Sequence, residues 1–177
     1  SLANIWFALE TSDPQHSLLA MDLRDNPTLL KGVGLAILAT IAAVELECGN
    51  LRLAGDLARQ ASAAARRLGA ERHYGAAEVM RTLGALEAEA GDLTTAEQHI
   101  ETALDIASPG RPPYALLSLV ELARIAFRRA EFDEALHRLD RARAFFPADL
   151  ESPLVVRGHA LEMRIRRAAG IDVNPDH

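Results

Sequence analysis

Gly91-Asp92-Leu93-Thr94-Thr95-Ala96 is the stretch on which the fold turns. It recurs in altered form as Gly49-Asn50-Leu51-Arg52-Leu53-Ala54 before it and as Ala130-Glu131-Phe132-Asp133-Glu134-Ala135 after it. Each copy is followed seven residues later by another alanine: Ala61, Ala103 or Ala142. The period is about 40 residues, within the range of helical-hairpin repeats. A glycine or small residue ends one helix where a left-handed backbone is needed. Asn50 or Asp92 is then placed to cap the next helix by accepting a backbone N–H bond. Alanines seven apart lie on one helix face two turns distant, and a small side chain there lets the second helix press against the first.

Working outward, the segment upstream of each turn reads as the first helix of a pair. Residues 35–48 are almost continuously apolar, which predicts burial on both sides, with Cys48 ending a buried helix. Residues 76–90 carry Val79, Met80, Leu83 and Leu86 at three- and four-residue spacing. Residues 114–129 carry Leu116, Leu119, Val120, Ala123 and Phe127 in the same way. A further helix is expected from about Pro153 to Ala169, ending at Gly170, which follows Ala130 by about the same period. Asp13-Pro14, Asn26-Pro27 and Ser152-Pro153 each set a capping residue before a proline at a first helical position. Ser108-Pro109-Gly110-Arg111-Pro112-Pro113 is read as a loop between repeats, and Gly69 and Pro147 as the closers of second helices.

No alternating, β-rich run interrupts this pattern. The expected fold is therefore all-α: a right-handed superhelical stack of antiparallel helix pairs forming one domain over residues 1–177. Its divisions are an irregular N-terminal cap at 1–26, repeats at 27–69, 70–109 and 110–148, and a half-repeat at 149–177. Trp6 in the cap is read as a packing residue. A single hairpin cannot bury its apolar face, so neighbours must stack. An unpaired last helix leaves Leu161 and Ile165 open, which predicts docking by the C-terminal tail or self-association through the open C-terminal repeat.

Composition narrows the function. The chain of 177 residues carries a net charge of −6, which argues against a whole-surface nucleic-acid or anionic-membrane binder. The longest apolar stretch, residues 33–46, contains Thr40 and Glu45 and is shorter than the roughly 18 to 20 residues a membrane span requires. One cysteine, Cys48, offers no intrachain disulfide and no thiolate cluster, so a reducing cytoplasm fits best. The N-terminus lacks a signal peptide's basic-then-apolar order. The missing initiator Met and the abrupt end at Asn174-Pro175-Asp176-His177 are those expected of a piece of a longer protein.

Catalytic constellations are absent from the sequence. It contains no G-x-x-x-x-G-K-[ST], G-x-S-x-G or H-E-x-x-H motif, and Gly32-Val33-Gly34 is a bare G-x-G without a third glycine. The histidines His16, His73, His99, His137, His159 and His177 are scattered, none paired at i, i+4 as metal ligands would be. Glu87 and Glu89 point to different helix faces and make no catalytic pair. Neither an enzyme nor a metal or cofactor site is expected.

The residues do carry a family resemblance. Leu83-Gly84, Gly91, Ala96, Ile100, Ala103 and Pro109 match the tetratricopeptide repeat pattern, as do Leu122-Ala123, Ala135, Leu139, Ala142 and Pro147. Ile41-Ala42, Gly49, Ala54, Ala58 and Ala61 match without a closing proline, and the early Trp and Tyr of the pattern are missing throughout. The longer unit, with the phrases AGDLTTAEQHIETALDIA (residues 90–107) and RAEFDEALHRLDRARAF (residues 129–145), resembles the repeat region of large bacterial LuxR-type transcriptional regulators of the MalT class. That resemblance implies an effector-binding or protein-interaction repeat domain that relays a signal to ATPase and DNA-binding domains outside this chain. The alternative is a generic adaptor that scaffolds a protein complex with no transcriptional role.

In tetratricopeptide arrays first helices line the concave face and second helices the convex one. The resemblance thus places Glu78, Arg81 and Glu89, then Glu121, Arg124 and Arg128, then Arg157, Arg164 and Arg167 on the inner surface. The binding candidates are Arg81, Glu121, Arg124, Arg128, Arg157 and Arg164. Arg124 and Arg128 are four apart, and Arg157 and Arg164 seven apart, so each pair shares a helix face. Guanidinium groups there suit a protein or peptide partner with acidic groups, or a small anionic effector. The competing expectation is a solvated face whose charges pair with Glu121 and Glu162. No direct nucleic-acid contact is expected through this segment.

Overall fold

The computed structural model describes residues 27–107, 112–145 and 153–171. The cap at 1–26 with Trp6, Asp13-Pro14 and His16, residues 108–111, Pro147 and His177 lie outside the described residues. Those described form seven helices and no strand. They are α1 (Pro27–Glu47), α2 (Leu51–Leu68), α3 (Tyr74–Ala90), α4 (Leu93–Ala107), α5 (Pro112–Arg128), α6 (Phe132–Arg143) and α7 (Pro153–Ala168). The fold is an all-α helical-repeat solenoid, as the repeated turn predicts.

The turns carry the repeat most clearly. Gly49, Gly91, Ala130 and Gly170 close α1, α3, α5 and α7, all with positive φ. The next residue in each case donates its N–H back to the carbonyl five positions earlier: Asn50 to Glu45, Asp92 to Glu87, Glu131 to Ala126 and Ile171 to Arg166, at 2.8–3.0 Å. This six-to-one bond satisfies carbonyls that would otherwise be orphaned at the helix end. Gly69 ends α2 in the same left-handed conformation. Asp92 caps α4 as expected, its Oδ1 accepting from the Thr95 N–H at 3.1 Å. Asn50 does not cap α2: its amide turns back and donates to Glu45 at 2.6 Å.

Each pair is joined by close packing of its small residues. Ala54, Ala58, Ala61, Ala96, Ala103 and Ala135 have no exposed surface. Gly84 marks the tightest approach, since a Cβ there would stand 2.5 Å from Ile100 Cγ1 and 2.8 Å from the Ala96 carbonyl. Three apolar clusters then run along the array. One lies between α1, α2 and α3 around Leu35 and Val79, and a central one joins α3, α4 and α5 around Ile100, Leu119 and Leu122. A third joins α5, α6 and α7 around Leu139, Leu161 and Ile165. Full burial of a side chain such as Ile100 contributes about 1.5–3 kcal/mol.

Three further expectations are corrected. Leu161 and Ile165 are not open, because they pack against Ala123, Ala126, Ala135 and Leu139. Self-association through those two residues therefore loses its basis; the exposed apolar side chains of α7 are Val156 and Met163. Helix α1 is not covered on both sides, since Ile41 and Val44 are exposed while Leu35, Ala39 and Ala42 face α2 and α3. Cys48 is exposed, because it lies past the end of α1 and four residues on from Val44, on the same outward face.

Candidate functional site

The first helices α1, α3, α5 and α7 border one side of the array. Two neighbouring cavities open there. The larger, about 530 Å³, lies between α1, α3 and α5 and is edged by Glu47, Arg81, Glu89, Glu121, Arg124 and Arg128. The smaller, about 280 Å³, lies between α5 and α7, with Arg124, Arg157 and Arg164 at its rim over Leu116, Leu117, Val120 and Ala160. Glu47, Glu121 and Arg124 belong to both, so the cavities form one groove. All six candidates from the sequence meet in it. Arg167 does not line it.

The arginines are not equally available. Arg81 is buried, and its Nε and Nη2 donate to the two oxygens of Glu78 at 3.1 and 2.5 Å. Burial alone would lower the Arg81 pKa, but the carboxylates of Glu78, Glu121 and Glu47 together, Glu78 foremost, outweigh it and raise the pKa above the ordinary arginine value. That guanidinium is a fixed part of the groove wall. Arg128 donates from Nη1 to the Ala88 carbonyl at 2.5 Å, placing a positive charge at the C-terminal end of α3.

Arg124, Arg157 and Arg164 line the smaller cavity. Arg124 reaches both oxygens of Glu121 at 3.1 and 3.3 Å, as one reading of the sequence expected. Arg164 stands over the Phe127 ring, 5.7 Å from its centroid. Arg157 spans the groove. Its Nη1 and Nη2 meet Oε1 and Oε2 of Glu47 at 3.5 and 3.4 Å in a parallel, two-pronged arrangement. Glu162, the other carboxylate expected to neutralise the face, serves Arg166 at 2.8 Å and Arg143 of α6 instead.

Five arginines thus line the groove against three glutamates, on a chain whose net charge is −6. The lining is positive where the molecule as a whole is acidic. Sequence reasoning missed Glu47. No spacing rule reaches from residue 47 to residue 157; the usable signal was a carboxylate on the last turn of a first helix, equivalent in register to Glu89. The apolar floor was missed in part, since the spacing of Leu116 and Val120 marks them as core.

Elsewhere, Glu87 and His99 approach within 2.6 Å between α3 and α4, and the His73 ring accepts from the Gly75 N–H at the start of α3. Among the described residues no cluster of three or more His, Cys, Asp or Glu is placed to hold a metal, and no helix is long and apolar enough to cross a membrane.

The geometry defines a class: a helical-repeat solenoid with a charged concave groove. Residues 35–109, from within α1 through the end of α4, match the tetratricopeptide repeat family. The crystal structure of BtubC (BKLC) from P. vanneervenii is similar in fold, with a TM-score of 0.66 at 16% identity. The likeness covers 94% of this chain and 63% of that one, so this chain spans less than two thirds of that protein's length. No curated protein matches the sequence closely enough to add to this.

Proposed function

We propose that this chain is a protein-interaction domain whose concave groove binds an anionic partner, an acidic peptide segment or a small anionic effector. One observation carries the reading: Arg124, Arg157 and Arg164, from two different helices, converge on one cavity with an apolar floor. Guanidinium groups on a partly apolar surface hold carboxylates in a fixed fork geometry. Tetratricopeptide repeats, the family matched over residues 35–109, are interaction scaffolds rather than catalytic units.

The host we favour is a cytoplasmic bacterial transcriptional regulator of the LuxR type, in which the groove senses a partner and relays its presence to ATPase and DNA-binding domains. The support is the resemblance of residues 90–107 and 129–145 to the repeats of that class. The adaptor reading shares the same groove and differs only in the host. A phosphate-loop ATPase upstream and a helix-turn-helix downstream in the parent sequence would decide for the regulator.

Calorimetry with a short peptide of alternating glutamate and leucine tests the groove. The double variant Arg124→Ala, Arg164→Ala should bind it at least several-fold more weakly than the parent, while a lysine–leucine peptide binds neither. Equal affinity in the double variant would remove the groove as the site.

A further inference from the structure

We propose that Glu47 is an internal competitor for the groove: its carboxylate occupies Arg157 in the unbound protein, and an anionic partner binds by displacing it. The inference rests on the groove reading above and assigns that site a means of regulation.

The geometry is that of a ligand mimic. Glu47 presents both carboxylate oxygens to both terminal nitrogens of Arg157, as a bound carboxylate would. The two residues are 110 positions apart and stand on α1 and α7, and both line the smaller cavity. Glu47 has reason to seek a cation. It is the last residue of α1, whose final turn has no basic residue, and a negative charge at that end opposes the helix dipole. Glu45 beside it is already engaged by the Asn50 amide. Arg157 offers Glu47 the counter-charge its own helix lacks.

The contact is also easily given up. Both side chains are about 60% exposed, and the nitrogen–oxygen distances of 3.4 and 3.5 Å are long for a charge-assisted bond. Exposed ion pairs of this kind contribute little. By contrast, the neighbouring Arg81–Glu78 pair is short and buried and stays in place. One pairing in the groove is thus built to hold and another to exchange. Displacement frees Glu47 and leaves Arg157 with the partner's carboxylate beside Arg124 and Arg164, so one anion is exchanged for another without stranding a charge.

The test compares the parent chain with Glu47→Gln, which keeps the side-chain shape and removes its charge. Affinity is measured with the fluorescent glutamate–leucine peptide. Glu89→Gln, which removes an equal charge from the same groove but not from Arg157, is the control. The expected result is several-fold tighter peptide binding by Glu47→Gln and a smaller gain in Glu89→Gln. Equal affinities of the parent and Glu47→Gln, or an equal gain in the two variants, overturn the competitor role and leave the groove reading intact. Binding to none of them removes the groove reading and the competitor with it.

Discussion

Ala130 shows how far one residue's conformation can be read from its neighbours in the repeat. It stands where Gly49, Gly91 and Gly170 stand, and it adopts their left-handed backbone, with φ of 61°. A Cβ in that region costs about 1–2 kcal/mol, which the six-to-one bond from Glu131 and the packing of Phe127 on Phe132 offset here. Ala130→Gly removes the clash but adds freedom to the unfolded chain, so the net gain should be about 0.5–1 kcal/mol, read as a higher midpoint in urea unfolding. A lower midpoint would mean that the alanine methyl does more in packing than its backbone strain takes away. The alignment of the turns was sufficient to locate this residue. The facing of Cys48 and the capping role of Asn50 were not legible in the same way, because both depend on what lies beyond the local pattern. Val44 shows that the Cys48 face is uncovered, and Glu45 draws the Asn50 amide away from the helix end.

Between elements, ionic contacts add to the apolar clusters at one place in particular. Glu97 of α4 accepts from Arg129 at 2.5 Å and from Arg138 of α6 at 2.7 Å, while Arg129 also donates to the Leu93 carbonyl and Arg138 to Glu134. Burial by itself would raise the Glu97 pKa, but the two guanidinium groups outweigh it and hold it below the ordinary glutamate value. A carboxyl lowered in the folded state stabilises fully above its unfolded pKa, about 4.3, and that contribution is lost as pH falls through the lower folded value. Glu97→Gln should therefore destabilise by about 1.5–3 kcal/mol at neutral pH, because it deprives the largely buried Arg138 of a charged partner. The variant's deficit should shrink as unfolding is followed below pH 4.3, roughly, since the parent then loses the same contacts. A deficit that stays constant with pH would show that the carboxylate charge is not what joins the helices. This network was not legible in the sequence, because it links residues 32 and 41 positions apart through the curvature of the array. The helices themselves were legible, and their errors were of extent. Helix α1 runs from Pro27 through Gly32 and Gly34, residues whose low helix propensity argues for a break. The Asn26-Pro27 signal was the better guide, since proline at a first helical position marks a start while isolated glycine only weakens a helix without ending it.

At the scale of the whole molecule, the array is a chain of neighbours rather than a single core. Its central cluster joins α3, α4 and α5, while α7 is held by a smaller cluster through Leu161 and Ile165 and by the Arg143–Glu162 ion pair. The candidate groove inherits that gradient: Arg124 stands on a central helix, but Arg157 and Arg164 stand on the last one. The sequence placed all three on one inner face only through the resemblance to a known repeat, because register alone gives faces of single helices and not their common curvature. In an array whose interfaces act between neighbours, stability is lost from the weaker end first. Leu139→Ala, which opens a cavity between α5, α6 and α7, should lower stability by about 2–5 kcal/mol, and the loss should be local. Hydrogen exchange would then show α7 and α6 losing protection while Tyr74–Ala90 and Leu93–Ala107 retain theirs. Peptide affinity should fall in the same variant, since two of the four exposed groove arginines, Arg157 and Arg164, ride on α7. A uniform loss of protection from α1 to α7 would mean that the solenoid unfolds as one unit, and that the groove is as rigid as its core.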